Sequence, residues 1–283
     1  MKKNLLVLFS VSSVVALIFH FLNTKFFRFE GMHYTFYTLL CCLIYMWIPG
    51  LLALLLARKE NIRLGWIKKP NRYFWMALFF PILFGIVGLL SLYPLSLLGI
   101  VTFLSMEHIP LIFLPNPFFN FVAWGFVALA VILVAILSFN LFAAMGEELF
   151  WRGYLFEKSK YLHFWKSAYL IGVVWAIWHI PMIFFFKYNY PYYSLIGSLM
   201  IIACCIPLAP IMSYMRIKGE SVLVPAILHA GIDIPFQTYQ LFNIPITSIV
   251  MRWIGFLGFF VLVCINWILV NKIEKEAYSI KKT

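Results

Sequence analysis

A chain of 283 residues that is 64% apolar and only 11% charged, with a mean hydropathy of +0.95, is excluded from the water-soluble globular class. Its net charge of +12 raises nucleic acid as a partner, but the basic residues sit in the breaks between apolar runs. That is the positive-inside pattern of a membrane protein, so the expected partner is the lipid bilayer and not nucleic acid.

Apolar runs of about 20 residues, the length that crosses a bilayer as a helix, follow one another along the chain. In order they predict spans at 4–22, 33–57, 73–92, 119–148, 167–186, 193–213, 221–235 and 250–271. The first follows Met1-Lys2-Lys3 but has no small-x-small cleavage signal after it, so it is expected to stay as a span. With the N-terminus inside, 18 of the 22 Lys and Arg fall on cytoplasmic segments. This bias predicts both termini in the cytoplasm and an even number of spans. Six spans result if the weaker pair at 193–235 is re-entrant. The expected fold is therefore an all-α, polytopic integral membrane protein of about eight helices. It forms a single transmembrane domain over 1–283, in a multi-pass setting expected to be a bacterial cell membrane.

All five cysteines lie inside apolar runs without CxxC or Cys/His spacing, and read as small hydrophobes. The acids are more informative. Of ten, seven lie in loops or tails, while Glu147, Glu148 and Asp233 interrupt apolar runs. A charge at mid-membrane costs about 2.5–3.5 kcal/mol on insertion scales, so such residues mark function by default.

On a helix Arg152 lies one turn from Glu148 and shares its face, which predicts an ion pair. Glu147 points about 100° away and is expected to project elsewhere, without a local partner. His229 and Asp233 are likewise four apart and can enter one cavity. Counted from the nearest cytoplasmic lysine, Glu147, His179 and His229 lie about 16–20 Å deep at 1.5 Å per residue. Three helices thus bring polar groups to one level of the membrane. A proton or ion path would use similar residues, so chemistry does not follow from depth alone.

The run Glu147-Glu148-Leu149-Phe150-Trp151-Arg152 resembles the EExxxR motif of the CPBP family, the CAAX proteases and bacteriocin-processing enzymes also called Abi. The family's FxxxH is matched by Trp175-Ala176-Ile177-Trp178-His179, with Trp for Phe. Its HxxxN or HxxxD is matched by His229-Ala230-Gly231-Ile232-Asp233. Three motifs in order on apolar helices cover 119–235, the expected catalytic core.

The resemblance implies an intramembrane endopeptidase that hydrolyses a peptide bond of a membrane-associated peptide or protein, with a water activated by Glu147 and His179. It implies that His229 and Asp233 stabilise the oxyanion, with Glu148, Arg152 and Trp175 in support. An anionic Asp233 would oppose an oxyanion, so it must be protonated or orient His229. Glu147, His179 and His229 would also serve as ligands of a divalent metal such as zinc, although HExxH is absent. The alternatives are a non-catalytic protein of the same fold, for bacteriocin self-immunity or scaffolding, and a proton-coupled transporter. The basic residues Arg152, Lys158, Lys160, Lys166, Arg216 and Lys218 are expected to rim the cytoplasmic mouth of a wet cavity.

Overall fold

The computed structural model describes residues 1–66, 69–81, 133, 136–186 and 194–241. The span expected at 250–271, much of those at 73–92 and 119–148, and Cys264 lie outside the described residues. Within the described residues every regular element is a helix. We number them α1 (Lys2–Phe21), α2 (Gly31–Glu60), α3 (72–81), α4 (136–159), α5 (Phe164–Phe184), α6 (Ser194–Gly219) and α7 (Leu223–Leu241).

Four stretches among the described residues are long and apolar enough to cross a membrane: Lys2–Phe27, Phe36–Glu60, Phe164–Phe184 and Ser194–Gly219. The last is 26 residues long, about 39 Å of helix at 1.5 Å per residue. That length suits a full span better than a re-entrant one. In α1 and α2, side chains such as Leu6, Val14, Leu51 and Leu55 stay exposed, as a lipid-facing surface requires. Helices α5 and α6 are buried over about half their length and form the centre.

Prolines lie inside several of these helices, among them Pro49 in α2, Pro181 in α5, and Pro207 and Pro210 in α6. Each removes one backbone donor, a loss that helices packed in a membrane tolerate because neighbours satisfy the freed carbonyls. Helix α2 ends at Asn61, whose left-handed φ of 53° is one that Asn adopts at helix ends.

The ends of the helices sort into two groups. At one end Asn4 donates to the Tyr154 hydroxyl at 2.8 Å, and Tyr154 to Glu60 at 3.0 Å. Lys158 pairs with Glu60 at 2.7 Å, Asn71 donates to the Lys218 carbonyl at 2.9 Å, and Ser221 to that of Trp66 at 2.6 Å. At the other end Tyr37 donates to the Phe19 carbonyl at 2.7 Å, and Phe186 packs on both rings. The described segments that the charge bias assigned to the cytoplasm thus meet at one end of the bundle.

Helix α4 departs from expectation. The span was drawn to stop at Glu148, yet the helix runs on to Ser159, so the two glutamates sit in its middle. Residues Leu149–Leu155 form a π-helical stretch, a wider winding that recurs at functional sites. The basic residues of this run do not terminate the helix because their charges are met locally. Arg152 is fully buried against Glu148, and Lys158 pairs with Glu60 at 2.7 Å.

Candidate active site

The site begins at a close helix crossing. A Cβ on Gly146 would lie 2.6 Å from the Met46 carbonyl oxygen and 3.0 Å from the Trp47 Cα, and a Cβ on Gly50 would strike the Gly146 backbone. Only glycine at both positions allows α2 and α4 to touch backbone to backbone, the small-residue contact that packs membrane helices. The Trp47 indole seals the crossing by donating to the Phe142 carbonyl at 3.1 Å. The residue after Gly146 is Glu147, so this contact fixes where its side chain starts. Sequence reading passed over both glycines; a Gly immediately before paired acids in an apolar run was the available signal.

Glu147 is 1% exposed. Contrary to expectation it has a local partner: the Trp151 indole, one turn on, donates to its Oε2 at 3.2 Å. The Trp175 indole on α5 donates to the same oxygen at 2.7 Å. No described residue donates to Oε1.

Glu148 is fully buried and accepts twice on Oε1, from Arg152 at 2.8 Å and from His229 Nδ1 at 2.9 Å. The first bond is the predicted pair within α4; the second, from α7, was not foreseen. Because a carboxylate can only accept, His229 Nδ1 is the donor, and its Nε2 turns to Asp233 Oδ2 at 3.6 Å. Asp233 therefore flanks His229 as its i, i+4 spacing predicted, on a side chain that is 34% exposed.

Arg152 was expected at the mouth and is instead 0% exposed. One of its nitrogens meets Glu148, while Nε and the other guanidinium nitrogen find no hydrogen-bond acceptor among the described residues. The guanidinium lies over the Trp175 ring, 4.5 Å from its centroid, and this cation–π contact partly replaces the missing acceptors. Arg216 is also buried, donating to the Arg152 carbonyl at 3.1 Å, with Glu157 3.7 Å away. Lys166 remains exposed, and Lys158, drawn to Glu60, has its ammonium stabilised by that hydrogen bond and its pKa raised.

His179 is half-buried. Its Nδ1 is 2.9 Å from the Trp175 carbonyl, which can only accept, so Nε2 carries the lone pair when the ring is neutral. It does not touch Glu147. Trp175 connects the two, its indole nitrogen on Glu147 and its ring 5.8 Å from the His179 ring. The same ring meets His229 edge-on at 5.2 Å. Trp175, expected in a supporting role, is thus the residue on which Glu147, Arg152, His179 and His229 converge.

The donor set does not fit a preformed metal centre. Among the described residues no three His, Cys, Asp or Glu side chains converge at metal-binding separation. Glu147 Oε2 accepts two indole N–H groups and His229 Nδ1 donates to Glu148, and the atoms this leaves, Glu147 Oε1 and His179 Nε2 among them, are not gathered with a third donor among the described residues. None of the described cysteines is in a disulfide, and Cys41, Cys42 and Cys205 are buried among apolar side chains.

Comparison with known proteins bears out the resemblance carried by the three motifs. Residues 129–235 match the family of type II CAAX prenyl endopeptidases, Rce1-like. Over 100 residues the chain is 34% identical to CAAX prenyl protease 2 of Methanococcus maripaludis, a stretch that is 34% of this chain and 36% of that relative. The aligned stretch thus spans about a third of the curated relative's length.

Proposed function

We propose that this chain, Rce1-like over residues 129–235, is a multi-pass intramembrane endopeptidase. Its substrate would be a membrane-associated peptide, most simply one with the C-terminal prenylated-cysteine sequence that its relative's name implies. The observation that carries the reading is Glu147: a carboxylate buried among apolar helices, one oxygen held by two donors and the other bonded by no described residue.

In this mechanism Glu147 Oε1 takes a proton from a water that His179 Nε2 orients by accepting its other hydrogen. The oxygen of the water attacks the scissile carbonyl carbon, and the π electrons of the C=O bond move to its oxygen. His229, as an imidazolium with Nδ1–H on Glu148 and Nε2 beside Asp233, donates its Nε2–H to that oxyanion. The flanking position of Asp233 supports a role in orienting His229 rather than direct contact with the oxyanion. The oxyanion then re-forms the C=O bond as the proton on Glu147 passes to the amide nitrogen and the C–N bond breaks; the new carboxylic acid gives its proton to the amine, and a carboxylate and an ammonium leave. The mechanism routes no step through a metal.

The test is cleavage in proteoliposomes of a fluorogenic peptide with a prenylated C-terminal cysteine motif, beside its unprenylated counterpart. The wild-type chain should cut the prenylated peptide, and Glu147→Gln should be folded and inactive. Undiminished cleavage by folded Glu147→Gln, or no cleavage by the wild type, overturns the assignment.

A further inference from the structure

We propose that Trp151 and Trp175 form an indole clamp that differentiates the two oxygens of Glu147, holding Oε2 as a fixed acceptor and leaving Oε1 as the reactive atom. The inference rests on the endopeptidase reading and adds two positioning residues to it.

The geometry of the two donors carries it. Both indole nitrogens address one oxygen, at 3.2 and 2.7 Å, although the carboxylate offers two. They come from different directions, Trp151 from one turn along α4 and Trp175 from α5, 28 residues away in sequence. One donor alone would leave the carboxylate free to rotate about its last torsion, a broad and nearly two-fold one in glutamate. Two converging donors fix that torsion and therefore aim Oε1.

The donors are themselves rigid. Trp151 is fully buried, packed edge-on against Phe150 at 5.0 Å and Trp178 at 5.8 Å. Trp175 is held on its face by Arg152 and at its edge by His229. The ring that aims Glu147 is thus also the ring against which His179 and His229 pack, so the proposed base and both histidines share one rigid reference.

Sequence carries a second sign. The motif that this chain resembles has Phe where Trp175 stands. Phenylalanine can supply the ring contacts with Arg152 and the histidines but has no N–H. What Trp adds at this position is the hydrogen bond to Glu147, and that difference can be isolated by substitution.

The experiment uses the full chain in proteoliposomes with the prenylated peptide, comparing Trp175→Phe, Trp151→Phe, the double variant and Glu147→Gln. A second form of the chain carries 3-benzothienylalanine at position 175, which keeps the bicyclic shape and replaces N–H by sulfur. Each single loss of an N–H should lower kcat roughly tenfold or more with KM little changed, since misaiming costs turnover and not binding. The double variant should fall further, and the benzothienyl form should match Trp175→Phe. The Glu147 carboxyl stretch, identified in infrared difference spectra by its absence from Glu147→Gln, should shift in every variant lacking an indole N–H. This band needs no turnover, so it tests the clamp even if the wild type cuts no peptide, an outcome that would sink the protease reading alone. Cleavage by the wild type with unchanged kcat and an unshifted band in folded Trp175→Phe, or in the benzothienyl form, overturns the clamp.

Discussion

Glu148 on α4 and His229 on α7, 81 residues apart in sequence, are joined by a 2.9 Å hydrogen bond in the buried interior. The same carboxylate oxygen holds Arg152, so one atom ties a helix to itself and to its neighbour. In the proposed mechanism the adjacent glutamates therefore have different duties: Glu148 assembles the site, and Glu147 serves as the base.

Substitutions at the two should fail differently. Glu147→Gln keeps a carbonyl oxygen for the indole donors, so folding is retained and cleavage is lost. Glu148→Gln leaves the buried Arg152 without its counter-charge, a class of loss worth about 3–5 kcal/mol. Thermal unfolding in detergent should show a clear drop only for Glu148→Gln. Equal melting and equal residual cleavage in the two would contradict this division.

The glycine crossing makes a steric prediction. Gly146→Ala must push α2 and α4 apart against the Met46 carbonyl and Trp47, at a cost of about 1–3 kcal/mol for an overpacked contact. Because Glu147 is the next residue, cleavage should fall together with melting temperature. A stable, fully active Gly146→Ala chain would show that the crossing does not position the site.

The ion pair at the bundle end should matter far less. Lys158 and Glu60 are 37% and 28% exposed, where water and salt screen the attraction. Lys158→Gln is expected to melt and cleave like the wild type at physiological salt. A loss approaching that of Glu148→Gln would mean that the Asn4, Tyr154 and Glu60 contacts depend on this lysine.

Metal removal should leave activity in place, because no three of the described His, Cys, Asp and Glu side chains are gathered for a cation. Dialysis against a strong chelator followed by the peptide assay measures this. Loss of cleavage that zinc restores would overturn that reading of the donor set.

Topology can be checked chemically. In a chain freed of its native cysteines, Asp233→Cys, at a position 34% exposed, should react with a membrane-impermeant thiol reagent in inside-out vesicles only. Reaction from the opposite face alone would reverse the orientation taken from the charge bias.

Residues four apart on one helix meet whatever the rest of the chain does, so Glu148 with Arg152 and His229 with Asp233 were legible in the sequence. The same rule also held the Trp151–Glu147 bond, which went unread because Trp was counted as apolar and not as a donor. Long apolar runs likewise sufficed for an all-helical membrane fold, since a backbone in lipid must satisfy its own hydrogen bonds. Sequence could not supply the angle and register at which helices pack. Only the tertiary structure carried Trp175 to Glu147 and His229 to Glu148 and let Gly50 meet Gly146. Those contacts come from shape matching between helices distant in sequence, and neither local spacing nor membrane depth encodes it.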